Sequence, residues 1–165
     1  TMYYDFVMLA AEYQIPTLID TQKGLLRECL KAQPFLIKVN REELALAFQE
    51  ELESQDALLT AIRRIVRKGV EWVVITQGQE PTFVAHQDAI WEILPPPIQP
   101  VNPIGAGDVT LAGIASALAQ GQEVLQAVQF GMACGSASTL TMTPGVIQLE
   151  DVERLAIEVR ITRNT

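Results

Sequence analysis

The sequence predicts an α/β fold built on a mostly parallel sheet. Two short and nearly continuous apolar runs, at residues 35–39 and 72–76, have the pattern of strands that are buried on both faces. Segments with helical periodicity precede the first run and lie between the two. Because strands that alternate with helices pair in parallel, we expect ligands to bind beyond the carboxyl ends of these strands.

The predicted elements follow one another in a regular order. The first part contains a helix at 3–14, a strand at 17–20, a helix at 23–32, the strand at 35–39, a helix from Asn40 to about Leu52, a helix at 56–68 and the strand at 72–76. Proline or glycine ends three of these helices. The second part contains a hairpin with strands at 82–85 and 89–94, a proline run at 95–97, a helix from Asp108 to 119, and helices at 123–140 and 150–159 before a short tail.

Composition limits the class of protein. The 165 residues are 48% hydrophobic, which suits one domain with a sizeable core, and the net charge is −8. An acidic surface argues against nucleic-acid and membrane partners, and no apolar run approaches the ~20 residues of a membrane span. Cys29 and Cys134 are far apart and His86 is the only histidine, so we expect buried thiols, no zinc site and a cytoplasmic location.

The segment Gly105-Ala106-Gly107-Asp108 stands at the start of a predicted helix. Two glycines around one small residue permit a tight turn, and the helix N-terminus adds a partial positive charge. This combination suits a nest for a transferring phosphoryl group, with Asp108 as the base for an attacking hydroxyl. The residues alone leave an alternative open, because glycine turns before helices are common and aspartate is frequent in a first turn.

Two further segments follow the buried strands at their carboxyl ends. Asn40 with Glu43 three residues later has the pattern of a capping box, and the same residues would suit a Mg²⁺–phosphate cluster with Lys38 nearby; both interpretations can hold together. Gly78 could let the backbone approach a nucleotide closely or could simply form a hairpin turn.

The predicted helix at 130–140 is rich in small residues. Small side chains permit close packing of helices, which is the simplest interpretation of the pattern. The loop at 141–145 adds carbonyl and hydroxyl oxygens, which could hold a monovalent cation or the edge of an adenine.

Taken together, these segments resemble the ribokinase-type (PfkB) family of carbohydrate kinases. The matching pieces are residues 38–44, 74–78, 102–108 and 130–140, in the order and spacing of the family. The Asn-Pro-Ile sequence at 102–104 and the small-residue helix are most similar to the phosphofructokinase and tagatose-6-phosphate kinase branch. The resemblance implies a three-layer ribokinase-like fold, of which residues 1–165 are the carboxy-terminal portion, without the amino-terminal half and its lid.

The resemblance also implies residue roles. Asp108 would be the catalytic base, and Gly105, Ala106 and Gly107 would form the anion hole. ATP contacts are implied for Lys38, Asn40, Thr76, Gly78, Met132 and Ser136. Glu43 would help to organise Mg²⁺, and a K⁺ site would use oxygens at Asn102, Ile104, Ser138, Thr141, Thr143 and Gly145.

The chain departs from the family pattern in three respects. Pro81 stands where the nucleotide loop usually has a second glycine, and Pro103 and Ile104 offer no hydroxyl. The amino-terminal half, with most of the sugar-binding residues, has no counterpart in the sequence. An edge of the sheet would then be exposed, so we expect either a homo-oligomer or a partner that supplies the amino-terminal half.

The expected activity is ATP-dependent phosphoryl transfer to a hydroxyl of a phosphorylated ketohexose, in carbohydrate metabolism of the glycolytic type. The candidate acceptors are fructose 6-phosphate, fructose 1-phosphate and tagatose 6-phosphate. A non-catalytic module that binds ATP or promotes oligomerisation is the alternative, because the chain has the nucleotide-binding segments and lacks the sugar-binding half.

Overall fold

The computed structural model describes residues 1–164 and contains seven helices and six strands within that range. The helices are α1 Met2–Glu12, α2 Lys23–Lys31, α3 Arg41–Phe48, α4 Gln55–Val66, α5 Ala106–Ala119, α6 Val124–Thr139 and α7 Leu149–Glu158. The strands are β1 Leu18–Ile19, β2 Leu36–Asn40, β3 Trp72–Gln77, β4 Glu80–His86, β5 Ala89–Leu94 and β6 Arg160–Asn164. This arrangement confirms the predicted α/β fold.

The six strands form one mixed sheet in the order β1-β2-β3-β4-β5-β6. β1 and β2 pair in parallel, as do β2 and β3, and the register places Lys38 beside Val74 and Asn40 beside Thr76. Two residues separate β3 from β4, and two separate β4 from β5. Such short connections join antiparallel strands, so β3, β4 and β5 run alternately, whereas β1, β2 and β3 run in the same direction.

Several element boundaries differ from those predicted, and three differences affect the description of the fold. α3 ends at Phe48 rather than near Leu52, because Gln49 takes a left-handed conformation with φ 56° that stops the helix. β4 begins at Glu80 and includes Pro81, two residues before the predicted start. Residues 160–164 form strand β6 instead of a tail, and the Thr162 hydroxyl donates to the carbonyl of Glu92 at 3.3 Å.

The chain divides into two compact units. The first comprises residues 1–77, 83–91 and 164, and the second comprises residues 78–82 and 92–163. The core of the first unit is aliphatic: Ile37 and Val39 of β2 and Ile75 of β3 are completely buried together with Leu58 and Ile62 of α4. This core fixes the parallel strands and therefore the positions of the residues at their carboxyl ends.

In the second unit, α5, α6 and α7 pack in succession. The side-chain amide of Gln129 on α6 donates to the carbonyls of Ala156 at 3.2 Å and Val159 at 3.1 Å, which ties α6 to the end of α7. This contact satisfies backbone carbonyls that the end of α7 leaves without an intrahelical donor.

α1 has an exposed apolar stripe formed by Met2, Phe6, Leu9 and Tyr13. These residues recur at helical spacing, and between 50% and 71% of each is exposed, whereas Val7 is the buried residue of the helix. Apolar stripes of this kind mark surfaces that another element covers. Within residues 1–164, no helix combines the length and the hydropathy that crossing a bilayer requires.

Candidate active site

The turn that leads into α5 is fixed by Gly105. This residue has φ 79° and ψ 0°, in the left-handed region where a side chain is strained, and it is the N-cap of α5. The N–H of Ala106 donates to the carbonyl of Pro103 at 3.2 Å, and the N–H of Val109 donates to the carbonyl of Gly105 at 3.0 Å. At the start of a helix the N–H groups of the next positions, here those of Gly107 and of the residue after it, have no intrahelical acceptor.

Asp108 lies in the first turn of α5 and is exposed. Within the described part of the chain its carboxylate forms no ion pair and no side-chain hydrogen bond. A free carboxylate beside a set of backbone N–H donors is an arrangement that can accept a proton next to a bound anion.

The glycines of α6 allow that helix to approach the start of α5 closely. A Cβ on Gly135 would overlap the hydroxyl of Thr110 and would lie 2.9 Å from the carbonyl oxygen of Ala106. A Cβ on Gly131 would lie 2.5 Å from the carbonyl oxygen of Thr110 and from Cγ1 of Ile114. The small-residue pattern therefore serves close helix packing, and that packing supports the Gly105–Asp108 turn.

Three carbonyl oxygens lie near the hydroxyl of Thr141, which is in the loop after α6. The Thr141 Oγ1 atom lies 2.8 Å from the carbonyl oxygen of Thr143, 3.2 Å from that of Ser138 and 3.4 Å from that of Val146. Three carbonyl oxygens and a hydroxyl within so short a distance form an oxygen-rich loop.

The segment that precedes α5 is tied to the same loop through Asn102. Its side-chain amide donates to the carbonyl of Met142 at 2.9 Å, and its side-chain oxygen accepts from the N–H of Ile104 at 3.1 Å. The N–H of Asn102 also donates to the carbonyl of Thr139 at 3.0 Å. Neutral hydroxyl and carbonyl oxygens are the ligands that suit K⁺. Within residues 1–164, no group of three His, Cys, Asp or Glu residues is placed to hold a metal ion. The oxygens of this loop are of the chemical type that the K⁺ site implied by the resemblance would need.

In the first unit, a buried ion pair occupies the carboxyl ends of β1 and β2. Lys38 Nζ lies 2.6 Å from Asp20 Oδ2, and the two side chains are 4% and 22% exposed. Asp20 was not among the residues that sequence reasoning selected. The parallel register could have indicated it, because Ile19 pairs with Ile37 and the next residues along the two strands are Asp20 and Lys38.

The capping-box prediction for α3 is confirmed. Glu43 N donates to Asn40 Oδ1 at 2.8 Å, and Asn40 N donates to Glu43 Oε2 at 2.8 Å. Arg41 joins the ends of β2 and β3, because its Nη1 donates to Gln77 Oε1 at 3.0 Å. The carboxylate of Glu43 is thus held in a defined position at the end of β2.

Gly78 forms the turn between β3 and β4. It has φ 64°, it is exposed, and a Cβ there would meet no atom within 4 Å. The backbone conformation, rather than any close neighbour, accounts for the glycine. The hairpin-turn interpretation therefore describes this residue in the structure.

Comparison with known proteins identifies the family. The profile described as pfkB family carbohydrate kinase matches residues 6–149, which is most of the chain. The chain belongs to the pfkB family of carbohydrate kinases. Its membership confirms the resemblance that the Gly105–Asp108 segment and its companions suggest.

Two relatives within the pfkB family are 28% identical to the chain. A 1-phosphofructokinase of Borreliella burgdorferi matches over 159 residues, which is 96% of this chain and 51% of the relative. A tagatose-6-phosphate kinase of Staphylococcus epidermidis matches over 162 residues, which is 96% of this chain and 52% of the relative. The chain therefore spans about half the length of the relatives that it matches.

Solved structures agree with this assignment. Phosphofructokinase-2 from Escherichia coli in complex with potassium superposes with a TM-score of 0.86 at 25% identity, covering 94% of this chain and 51% of that one. The tetrameric inhibited form of the same enzyme has a TM-score of 0.84 at 25% identity, covering 94% of this chain and 50% of that one.

The residues that the pfkB resemblance selects lie in both units of the chain. The second unit contains Gly78, Asn102, Ile104, Gly105, Ala106, Gly107, Asp108, Met132, Ser136, Ser138, Thr141, Thr143 and Gly145. The first unit contains Lys38, Asn40, Glu43 and Thr76. Within the second unit the structure brings the Gly105–Asp108 turn against the loop, since a Cβ on Gly105 would lie 3.9 Å from the N atom of Gly145. Met132 is buried and Ser136 is half-buried on α6.

Proposed function

We propose that this polypeptide is the carboxy-terminal portion of an ATP-dependent kinase that phosphorylates a hydroxyl of a phosphorylated ketohexose. Fructose 6-phosphate, fructose 1-phosphate and tagatose 6-phosphate are the candidate acceptors, in agreement with the names of the relatives. The observation that carries the proposal is the turn at the start of α5, where Gly105 creates a left-handed N-cap and an exposed, unpaired Asp108 follows three residues later.

In the proposed reaction, the Asp108 carboxylate accepts the proton of the attacking hydroxyl. Backbone N–H groups of the Gly105–Gly107 turn donate to the oxygens of the transferring phosphoryl group, and the α5 dipole stabilises the charge that develops there. Phosphoryl transfer through a loose transition state requires little basicity, because position and charge neutralisation supply most of the catalysis. An aspartate beside a helix N-terminus is therefore a sufficient base.

ATP contacts are proposed for six residues. Lys38 lies in the middle of β2, and Asn40 and Thr76 lie near the carboxyl ends of β2 and β3, the edge at which parallel sheets bind ligands. The others are Gly78, Met132 and Ser136. Mg²⁺ would enter with ATP, and the Glu43 carboxylate, held by its capping box, would help to orient it. K⁺ would be held by the neutral oxygens of the oxygen-rich loop.

A partner for α1 is part of the proposal. The relatives have about as many residues again as this chain, and the exposed apolar stripe on α1 directly precedes β1, an edge strand, in the chain. We infer that the amino-terminal half of the kinase fold covers this face. A second copy is less favourable because α1 carries Asp5 and Glu12 and no basic residue, so paired copies would bring like charges together. A chain that does not bind a polypeptide carrying the amino-terminal half of the kinase fold would contradict the inference.

The proposed location is the cytoplasm. Cys29 and Cys134 are both free and buried, which agrees with a reducing compartment. Acidic composition continues to argue against nucleic acid as a partner.

The test measures ATP binding and phosphoryl transfer separately. Calorimetric titration with ATP–Mg²⁺ measures binding, and a coupled assay with each of the three sugar phosphates measures turnover. In an enzyme completed by the amino-terminal half, we expect Asp108→Asn to lower turnover by roughly 10²- to 10⁴-fold while ATP binding is retained. Asp56→Asn is the matched control, since Asp56 is also an exposed carboxylate in a first helical turn, and it should change neither quantity.

Other results would reject parts of the proposal. Turnover of Asp108→Asn close to that of the unmodified chain would exclude Asp108 as the base. ATP binding without turnover on any acceptor would favour the alternative, a non-catalytic nucleotide-binding module. The absence of any heat of ATP binding would exclude both the kinase and the nucleotide-binding module.

A further inference from the structure

A groove of about 720 Å³ lies on the first unit, away from every residue assigned to catalysis. Its wall is formed along α2 from Gly24 to Lys31, at the end of α3 by Phe48 and after α4 by Lys68. Its volume is sufficient for a small organic molecule. None of its lining residues belongs to the proposed ATP or phosphoryl-transfer sets.

The charge of the groove is opposite to that of the chain. Arg27, Lys31 and Lys68 line it together with a single carboxylate, Glu28, whereas the whole chain has a net charge of −8. Lys31 Nζ lies 2.7 Å from Glu28 Oε1, and this hydrogen bond, followed by the charges of Lys31 and Arg27, lowers the pKa of the Glu28 carboxyl. Arg27 and Lys68 form no ion pair within residues 1–164, and the one carboxylate of the lining is bound to Lys31, so the groove keeps an excess of positive charge.

The groove is held in shape by contacts behind its wall. The side-chain amide of Gln33 donates to the carbonyl of Lys68 at 3.0 Å, which fixes the backbone beneath this lysine. The guanidinium of Arg64 lies 4.8 Å from the ring centroid of Phe48, and Glu50 holds it through two hydrogen bonds of 2.8 and 2.9 Å. The apolar wall and the backbone that carries Lys68 are therefore positioned before any ligand binds.

We propose that this groove binds a small organic polyanion. The unpaired cations would contact two negatively charged groups, and Phe48 with the buried Leu30 would contact the apolar part of the molecule. Because these residues lie on helices of the first unit, binding would stabilise that unit by mass action. The proposal does not depend on the proposed kinase activity and can stand if that activity fails.

The test uses pyrophosphate and citrate as probes on the 165-residue chain, read by ¹H–¹⁵N spectra of the glycine amides. The amide of Gly24 reports on the groove, and the amide of Gly107 reports on the catalytic turn. We expect both probes to shift Gly24 in a saturable manner. A response to pyrophosphate alone would indicate a phosphate site and would contradict a site for an organic polyanion.

Matched variants decide whether the groove is responsible. Arg27→Gln and Lys68→Gln should each weaken the Gly24 response by at least about tenfold, because each removes a charge-assisted contact. Arg67→Gln removes the same charge from the exposed neighbour of Lys68 that does not line the groove, and it should change affinity by less than about twofold. Equal weakening by all three variants, or a response confined to Gly107, would overturn the proposal.

Discussion

Replacement of Gly135 by alanine tests whether the packing of α6 supports the catalytic turn. The added Cβ would overlap the hydroxyl of Thr110 and would lie 2.9 Å from the carbonyl oxygen of Ala106. Neither neighbour can move away easily, because Thr110 is buried and its hydroxyl donates to that same carbonyl at 2.8 Å. The substitution therefore strains the first turns of α5.

The expected magnitude is the difference between two effects. Overpacking of a tight contact costs about 1–3 kcal/mol, and alanine is favoured over glycine in a helix interior by about 1 kcal/mol. The overlap with the Thr110 hydroxyl places the overpacking cost in the upper part of its range, so we expect Gly135→Ala to lower the free energy of unfolding by roughly 1–2 kcal/mol in total. Urea denaturation followed by far-ultraviolet circular dichroism measures this change, and the slope of the transition should be unaffected.

The control is Gly24→Ala, in which the new Cβ would lie 3.9 Å from its nearest neighbour, Nη2 of Arg27. This variant should be neutral or more stable by up to about 1 kcal/mol. In a double-mutant cycle, Thr110→Ala should recover part of the loss caused by Gly135→Ala, since it removes the overlapping hydroxyl. A Gly135→Ala chain as stable as the unmodified one would refute the assigned packing.

Two further predictions concern buried groups in the core. Asp20→Asn should lower the free energy of unfolding by about 2 kcal/mol, because Lys38 is 4% exposed and loses its counter-charge. In the same denaturation experiment, the control Asp151→Asn breaks a largely exposed ion pair and should lower that free energy by less than about 1 kcal/mol. Burial raises the pKa of the Cys29 and Cys134 thiols, so little thiolate is present near neutral pH. Both thiols should therefore react with a disulfide reagent far more slowly in the native chain than in urea. Rapid reaction without denaturant would contradict their burial.

Local chemistry explains which features the sequence could predict. The buried strands at 35–39 and 72–76 are apolar on both faces, and the Asn40–Glu43 box is a contact between near neighbours. Such features depend on a few consecutive residues, so their pattern is visible without the fold. The turn at Gly105 belongs to the same class, because its conformation requires a residue without a side chain.

Features that depend on distant parts of the chain could not be predicted in the same way. Strand β6 pairs at the edge of the sheet, and its contact between Thr162 and Glu92 joins residues 70 positions apart. Its sequence has no strand pattern of its own. The end of α3 could not be predicted either, because glutamine at position 49 does not indicate a left-handed backbone. Asp20 became recognisable as the partner of Lys38 only when the register of β1 and β2 was known.

The small residues of α6 serve close helix packing and, through that packing, the proposed anion hole. Close packing requires glycine at 131 and 135, since a side chain at either position would meet the backbone of α5. The atoms contacted are the carbonyls of Thr110 and Ala106, in the first two turns after Gly105. A backbone anion hole depends on the exact placement of such turns, because its donors are fixed by the chain rather than by adjustable side chains. Glycine on the neighbouring helix is therefore a positional requirement of the proposed chemistry.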